Sequence, residues 1–278
     1  MKAYLTTSGI IIDKDSTFYL LKDLNWDQLI MQDNLTQFLA DKINASDPIN
    51  NALEIIENEI LAPIGRQEVW AAGVTYFRSK SARMEESKDA GGGDFYDRVY
   101  AAERPEIFFK STAYRTVGNK GNVRIRKDST WDVPEPELTL LVNPKAEIVG
   151  YTIGNDMSSR SIEGENPLYL PQAKSYDKSA SLGPCIWFTN EIIPAETKIS
   201  LDIIRNGKTI FNDSTSVSQM KRKLPELVSY LFRECSFEYG CFLMTGTGII
   251  PPNEFTLQSG DEIRISIDKI GTLINYVE

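Results

Sequence analysis

The sequence predicts an α+β fold, and three observations predict it. Beyond residue 134, apolar residues mostly recur at strand spacing, between turns marked by glycine, asparagine and proline. Helical spacing is confined to shorter stretches, chiefly 26–43, 51–61 and 224–234. The first part of the chain carries its own strand and helix signals and ends at Ala62-Pro63-Ile64-Gly65. This divides the chain into a small N-terminal α/β module, residues 1–65, and a larger strand-rich domain, residues 66–278.

Taken in order, Met1 to Ile12 and Thr17 to Leu21 read as strands around the turn Asp13-Lys14-Asp15. Trp26 to Ile43 reads as one helix through Leu29, Ile30, Leu35, Phe38, Leu39 and Ile43. Asn51 to Leu61 reads as a second helix, and packing or assembly is the role expected of this module. Val69 to Val74 is a short apolar strand. Residues 79–102 are charged and periodic around Gly91-Gly92-Gly93, which predicts two helical pieces with a flexible joint. A closing lid and a surface loop fit that pattern equally. The glycines lack a following G-K-[ST], so they do not form a phosphate loop. Ile107 to Phe109 reads as buried strand, with Glu106 beside aromatic residues where desolvation would favour its neutral acid. Gly118 to Lys127 reads as a turn and a basic strand, with Arg124 and Arg126 solvated.

The stretch from Pro134 to Pro184 organises the rest. Glu135 and Glu137 lie two apart at the start of an apolar strand, so their carboxylates share a face, opposite Leu138, Leu140 and Val142. With Asn143 to Ala146 as a four-residue loop, Val142 faces Glu147, Glu137 faces Thr152 and Glu135 faces Gly154. Asp156 then falls beyond that pair, on the face of the two glutamates. Three like charges so close demand a cation or raised pKa values. All-oxygen ligation suits Mg²⁺, Ca²⁺ or Mn²⁺. The spacing alone supports a metal site and a solvated acidic hairpin equally. The polar run Ser158 to Ser161 reads as hydrogen-bond partners of the metal shell or, slightly favoured, as a solvated strand end, and Glu163 to Pro171 as a loop leading to Lys174.

From Cys185 onward the pattern is mostly β. Strands are expected over 186–189, 197–205 and 209–211, the last two joined at Asn206-Gly207. Thr245-Gly246-Thr247-Gly248 is a tight loop between apolar runs, and Gly260 and Gly271 punctuate the final strands.

Composition narrows the classes. With 278 residues, 41% hydrophobic and 25% charged, the chain is an ordinary globular protein. A net charge of −9 argues against nucleic acid as a partner. Cys185, Cys235 and Cys241 form no C-x-x-C pair and read as buried thiols. Neither a signal-peptide layout nor a membrane-length apolar run is present, so the expectation is a cytoplasmic protein.

Several stretches together carry a resemblance. They are E-x-E at Glu135, G-Y-T-x-x-N-D-x-S-x-R from Gly150, K-S-Y-D-x-x-x-x-L-G-P from Lys174, T-G-T from Thr245 and the closing G-D-x-I run from Gly260. In this order they resemble the fumarylacetoacetate hydrolase family, from about Val69 to the C-terminus. The resemblance implies a rolled, mostly antiparallel β catalytic domain and a homo-oligomer, dimer or tetramer. It implies a divalent metal, Mg²⁺ foremost, on Glu135, Glu137 and Asp156, and a catalytic Lys174 that also meets substrate. Thr247 is a candidate contact for the substrate carboxylate, level with a purely structural turn. Hydrolases of the family carry N-Y-x-x-H-x-x-E, but here Ser79 stands at the histidine position and Ala82 at the glutamate, and the chain has no histidine.

The stretches W-A-A-G-V-T-Y, R-P-E-I-F-F-K and R-S-I-E-G-E-N-P-L-Y-L-P-Q-A-K are similar to a branch of that family that dehydrates 2-keto-3-deoxy-D-arabinonate. That likeness implies a hydro-lyase acting through a metal-stabilised enolate to give 2-oxoglutarate semialdehyde, with Glu106 the second catalytic group. Which of Lys174 and Glu106 is base and which acid stays open. Two alternatives stand beside it: a hydrolase, tautomerase or decarboxylase of acylpyruvates or diketo acids, and a non-catalytic, metal-stabilised keto-acid-binding protein.

Overall fold

The computed structural model describes residues 1–79, 84 and 93–278. Half of the segment 79–102, read as a lid or a surface loop, lies outside these residues, Ala82 included. The strands are β1 (Lys2–Thr6), β2 (Gly9–Lys14), β3 (Thr17–Leu21), β4 (Glu68–Gly73), β5 (Glu106–Ser111), β6 (Thr116–Val117), β7 (Gly121–Val123), β8 (Asp132–Val142), β9 (Ile148–Ser159), β10 (Ala180–Phe188), β11 (Lys198–Arg205), β12 (Lys208–Ser216), β13 (Cys241–Met244), β14 (Glu262–Ile267) and β15 (Gly271–Val277). The labelled helices are α1 (Trp26–Ile30), α2 (Leu35–Asn44), α3 (Ala52–Glu59), α4 (Gly93–Ala101), α5 (Arg160–Glu165), α6 (Leu170–Lys174) and α7 (Leu224–Leu231).

The strands form two sheets. A ten-stranded sheet runs β3-β2-β1-β10-β9-β8-β13-β4-β5, with β6 beside β10, and a five-stranded sheet runs β12-β11-β14-β15-β7. Most pairs are antiparallel; β4–β13, β6–β10 and β7–β15 are parallel. Leu138, Leu140 and Val142 of β8 pack with Ile199, Leu201, Ile263 and Ile265 of the smaller sheet. Leu141, on the opposite face, joins Trp26, Leu29, Leu35 and Leu39 of α1 and α2. The large sheet is therefore covered on both sides, and every residue of β8 is buried. No helix among the described residues is long and apolar enough to cross a membrane.

Several boundaries differ from the sequence reading. Residues 2–14 make two strands, not one, turning at Thr7 and Ser8. The segment 26–43 breaks at 31–34, where the Asn34 side chain accepts from the Gln37 amide and starts a new helix. Only Gly121–Val123 of the expected basic strand pairs, because Arg124 donates its amide to the Lys178 carbonyl outside any ladder. Ile107, Phe108 and Phe109 are half-buried rather than buried. Residues 160–174 are largely helical. The Ser159 side chain caps α5, the Asn166 side chain accepts from Leu168, and Pro171 occupies the first turn of α6 where no amide is needed. Cys185 and Cys241 are buried, but Cys235 is exposed.

The β8–β9 register also differs, and instructively. Glu135 faces Asp156 and Glu137 faces Gly154. The loop is a residue shorter than expected, since Asn143 and Glu147 still pair and Ala146 takes a left-handed φ of 63°. One further residue is absorbed where the register shifts between Leu141 and Val142. The two slips add to an offset of two, which preserves side-chain parity. All three acids therefore stay on one face.

Candidate metal centre and active site

One carboxylate oxygen from each of Glu135, Glu137 and Asp156 lies within 4.8 Å of the others. The three residues are 5%, 1% and 1% exposed, which excludes a solvated hairpin. Like charges at this spacing repel by about 3 kcal/mol per pair at an effective dielectric constant of ~20. The protein answers this in two ways.

The first is a raised pKa. Burial raises the Glu137 carboxyl well above its ordinary range, and repulsion from Asp156 and Glu135 adds to this. Its Oε2 accepts the Gly246 amide at 2.5 Å. Gly246 has a φ of +89°, and a Cβ there would stand 2.0 Å from Thr75 Oγ1, so glycine alone permits this approach.

The second is a set of buried cations. Lys174 ends α6 and is 1% exposed. Its Nζ donates to Glu135 Oε2 at 2.6 Å, Asp156 Oδ2 at 3.1 Å and Ser158 Oγ at 2.5 Å. Glu163 Oε1 lies 3.4 Å away. Arg160 Nη2 donates to Glu135 Oε1 at 2.7 Å, and its Nε lies 3.7 Å from Glu163 Oε2. Lys110 is wholly buried, with Nζ 2.6 Å from Asp156 Oδ1 and donating to the carbonyls of Met157 and Lys174. Burial lowers the Lys110 ammonium from its ordinary value, against the pull of Asp156. Among the described residues the cluster thus holds four buried carboxylates and three buried cations.

Lys110 and Glu163 escaped the sequence reading, which also slightly favours a solvated end for Arg160 over a place in the metal shell. A lysine closing the apolar run Ile107-Phe108-Phe109 looks like a strand end, whereas strand alternation and the chain folding back over it bury it. Arg160 and Glu163 are three apart on a helix, the spacing of one helical face, and that signal was available had a helix been expected there. Ser158, Ser159 and Arg160 are buried, not a solvated strand end. They lie on or just after the central strand β9, under α5 and α6.

The pocket over the triad is lined by Ala72, Gly73, Phe108, Ser79 and Thr247 besides the acids and Lys174. Its free space is about 10 Å³, room for a single water-sized sphere. Thr247 is 3% exposed, and its Oγ1 accepts from the Ile249 amide at 3.1 Å. Ser79 donates its hydroxyl to the Tyr76 carbonyl at 2.8 Å, so that oxygen is engaged in its own turn. Glu106 is not in this pocket wall. It pairs with Gly73, and its Oε2 lies 2.1 Å from where a Gly73 Cβ would stand, so the carboxyl rests on a residue that is in the wall. On its other side Glu106 borders a cleft with Arg98, Arg104, Pro105 and Leu168.

The donor set fits a hard divalent cation. It offers three buried carboxylates on rigid strands, with an ammonium now neutralising two of them. A family model described as fumarylacetoacetate (FAA) hydrolase C-terminal matches residues 69–278.

The chain belongs to the fumarylacetoacetate hydrolase family.

Within it, the chain is 42% identical over 273 residues to a probable 2-keto-3-deoxyxylonate dehydratase of Haloferax volcanii, covering 98% of this chain and 92% of that protein. It is 39% identical over 246 residues to a 2-dehydro-3-deoxy-D-arabinonate dehydratase of Saccharolobus solfataricus, covering 87% and 83%. A solved structure of 2-keto-3-deoxy-D-arabinonate dehydratase, complexed with magnesium and 2,5-dioxopentanoate, aligns with a TM-score of 0.84 at 34% identity, covering 100% of this chain and 98% of that one.

Proposed function

We propose that this chain is a magnesium-dependent dehydratase of a 2-keto-3-deoxy pentonate, converting 2-keto-3-deoxy-D-arabinonate to 2,5-dioxopentanoate (2-oxoglutarate semialdehyde). The observation that carries the reading is the Lys174 ammonium seated between Glu135 and Asp156 in a buried triad, with no histidine in the chain to activate water. Glu135, Glu137 and Asp156 would hold the metal, which when bound supplies a Lewis acid for the 2-keto oxygen of the substrate.

Lys174 Nζ, once its ammonium proton is shed, takes a proton from C3 of the substrate as the neutral amine. Ser158 and Glu163 hold the amine in place, with Oγ at 2.5 Å and Oε1 at 3.4 Å. Glu106 gives a proton to the C4 hydroxyl, which leaves as water, and a C3–C4 double bond forms. A proton shift from C5 to C3 then gives the C4–C5 enol, and transfer of its hydroxyl proton to C4 turns C5 into the aldehyde. One water is lost and no redox partner is needed. Thr247, in the same wall, meets the substrate carboxylate. The buried pocket, with room for a single water-sized sphere, excludes bulk water, which favours elimination over hydrolysis. Ser79, whose hydroxyl is engaged by Tyr76, does not replace the histidine of the hydrolases.

The chain would work in the cytoplasm as a dimer or tetramer, with residues 66–278 as the catalytic domain. Incubating the Mg²⁺-loaded protein with 2-keto-3-deoxy-D-arabinonate tests the function. Metal-dependent formation of a product one water lighter supports it, and cleavage of an acylpyruvate with no action on the sugar acid overturns it.

A further inference from the structure

A second pocket, of about 610 Å³, lies on the other side of the segment that carries Lys174. Arg115, Arg124, Arg126 and Lys127 line it, against only two acids, Asp128 and Asp177. A local excess of two positive charges is unusual on a chain of net charge −9. A global field so negative repels anions, so an anion-selective surface has to be built locally. Arg126 is committed, with Nε and Nη2 donating to Asp128 at 2.8 and 2.6 Å. Arg124 is not, and Arg115 is committed only in part, its Nε donating to the Tyr114 hydroxyl at 2.8 Å. They share the carboxylate of Asp177 at 4.0 and 3.9 Å, the outer limit of an ion pair, and that side chain is 69% exposed. Tyr176, also in the wall, has a hydroxyl shut away from solvent without a hydrogen-bond partner among the described residues.

We propose that this pocket binds a small multivalent oxyanion, a phosphate monoester or a dicarboxylate, between Arg115 and Arg124, displacing Asp177. The guanidinium forks suit two-point recognition of either oxyanion, and Lys127 adds a mobile charge at the rim.

The site is coupled to the buried cluster by contacts already present. Arg126 Nη1 donates to the Gln172 carbonyl at 3.1 Å, and the Arg124 amide donates to the Lys178 carbonyl at 3.2 Å. The basic segment thus grips the chain on both sides of Lys174. The Tyr176 ring lies between Arg126, 5.5 Å from its centroid, and Lys110, at 5.8 Å, which itself pairs with Asp156. An anion held here orders residues 172–178 and with them the base of the reaction. The binding itself does not depend on what that reaction is.

Calorimetric titration of the metal-stripped full chain with inorganic phosphate, succinate and acetate tests this at constant ionic strength. One site for phosphate or succinate, at least tenfold tighter than for acetate, is expected, and the tighter of the two identifies the class. Arg115→Gln with Arg124→Gln should weaken it tenfold or more, while Lys208→Gln, at an exposed cation outside the pocket, leaves it unchanged. Asp177→Asn removes the internal competitor and should tighten binding severalfold, which keeps the test open if the double variant fails to fold. Equal binding of acetate, loss of binding in Lys208→Gln, or no change in Asp177→Asn would each overturn the proposal.

Discussion

Replacing Lys174 with methionine separates the electrostatic role of this lysine from its chemical one. The ammonium contacts Glu135, Asp156 and Ser158 within 3.1 Å and is 1% exposed. Its removal leaves four buried carboxylates facing two cations among the described residues, Lys110 and Arg160. Breaking one side of a buried ion pair costs about 3–5 kcal/mol. Protonation of a carboxylate recovers part of this, so a loss of roughly 3 kcal/mol is expected in urea denaturation with chelator present. Mg²⁺ should restore it. A ligand at 100 times its dissociation constant stabilises by ~2.7 kcal/mol, and the variant no longer has an ammonium competing for the same oxygens. The Mg²⁺ increment should therefore be larger in the variant than in the parent chain, while turnover stays at least ~100-fold down. A variant as stable as the parent in chelator, or one that gains no more from Mg²⁺ than the parent does, would refute the reasoning.

Other expectations follow from the same cluster. Glu137→Gln imposes the neutral form that burial already favours, so it should unfold at equal or higher urea without metal, yet lose the stabilisation by Mg²⁺. Burial pushes the Asp132 carboxyl from 3.8 up to about 6, so its ionisation opposes folding. Stability should then fall as pH rises from about 4 to 6 and level off above; Asp132→Asn should flatten that slope and gain up to roughly 3 kcal/mol at pH 7, read by urea melts across pH. Gly246→Ala, with its forced contact on Thr75, should cost about 1–3 kcal/mol and weaken Mg²⁺ binding in calorimetry through the Glu137 contact. Residues 66–278 expressed alone would bare Ile186, Phe188, Phe242 and Leu141, which Trp26, Leu29 and Leu39 now cover, so this fragment should aggregate unless residues 1–65 are supplied in trans, as size-exclusion chromatography would report.

The acidic face of the hairpin was legible because strand parity survives an even slip. The sequence reading set Glu135 opposite Gly154, the structure sets it opposite Asp156, and both put the three acids on one side. The loop length and the irregularity near Val142 that cause the slip depend on Asn143 bonding across the turn to Glu147, which no local propensity announces. Burial was the harder inference. Glu135 and Ser158 are polar residues in strands, and only the coverage of the sheet on both faces makes them interior. Lys110 was missed for the same reason, since its partners Asp156 and the Met157 carbonyl lie 46 and 47 residues away in the chain. The single helix expected over 26–43 shows the opposite limit, because apolar spacing continues through a break that the Asn34 cap decides.

The most direct test of the account is a product analysis. Metal-stripped and Mg²⁺-loaded protein would each be given 2-keto-3-deoxy-D-arabinonate, and an acylpyruvate in parallel, with products identified by mass spectrometry. The account predicts 2,5-dioxopentanoate only from the sugar acid, only with Mg²⁺, and none from Lys174→Met. Turnover of the sugar acid without metal, or cleavage of the acylpyruvate in its place, would contradict it.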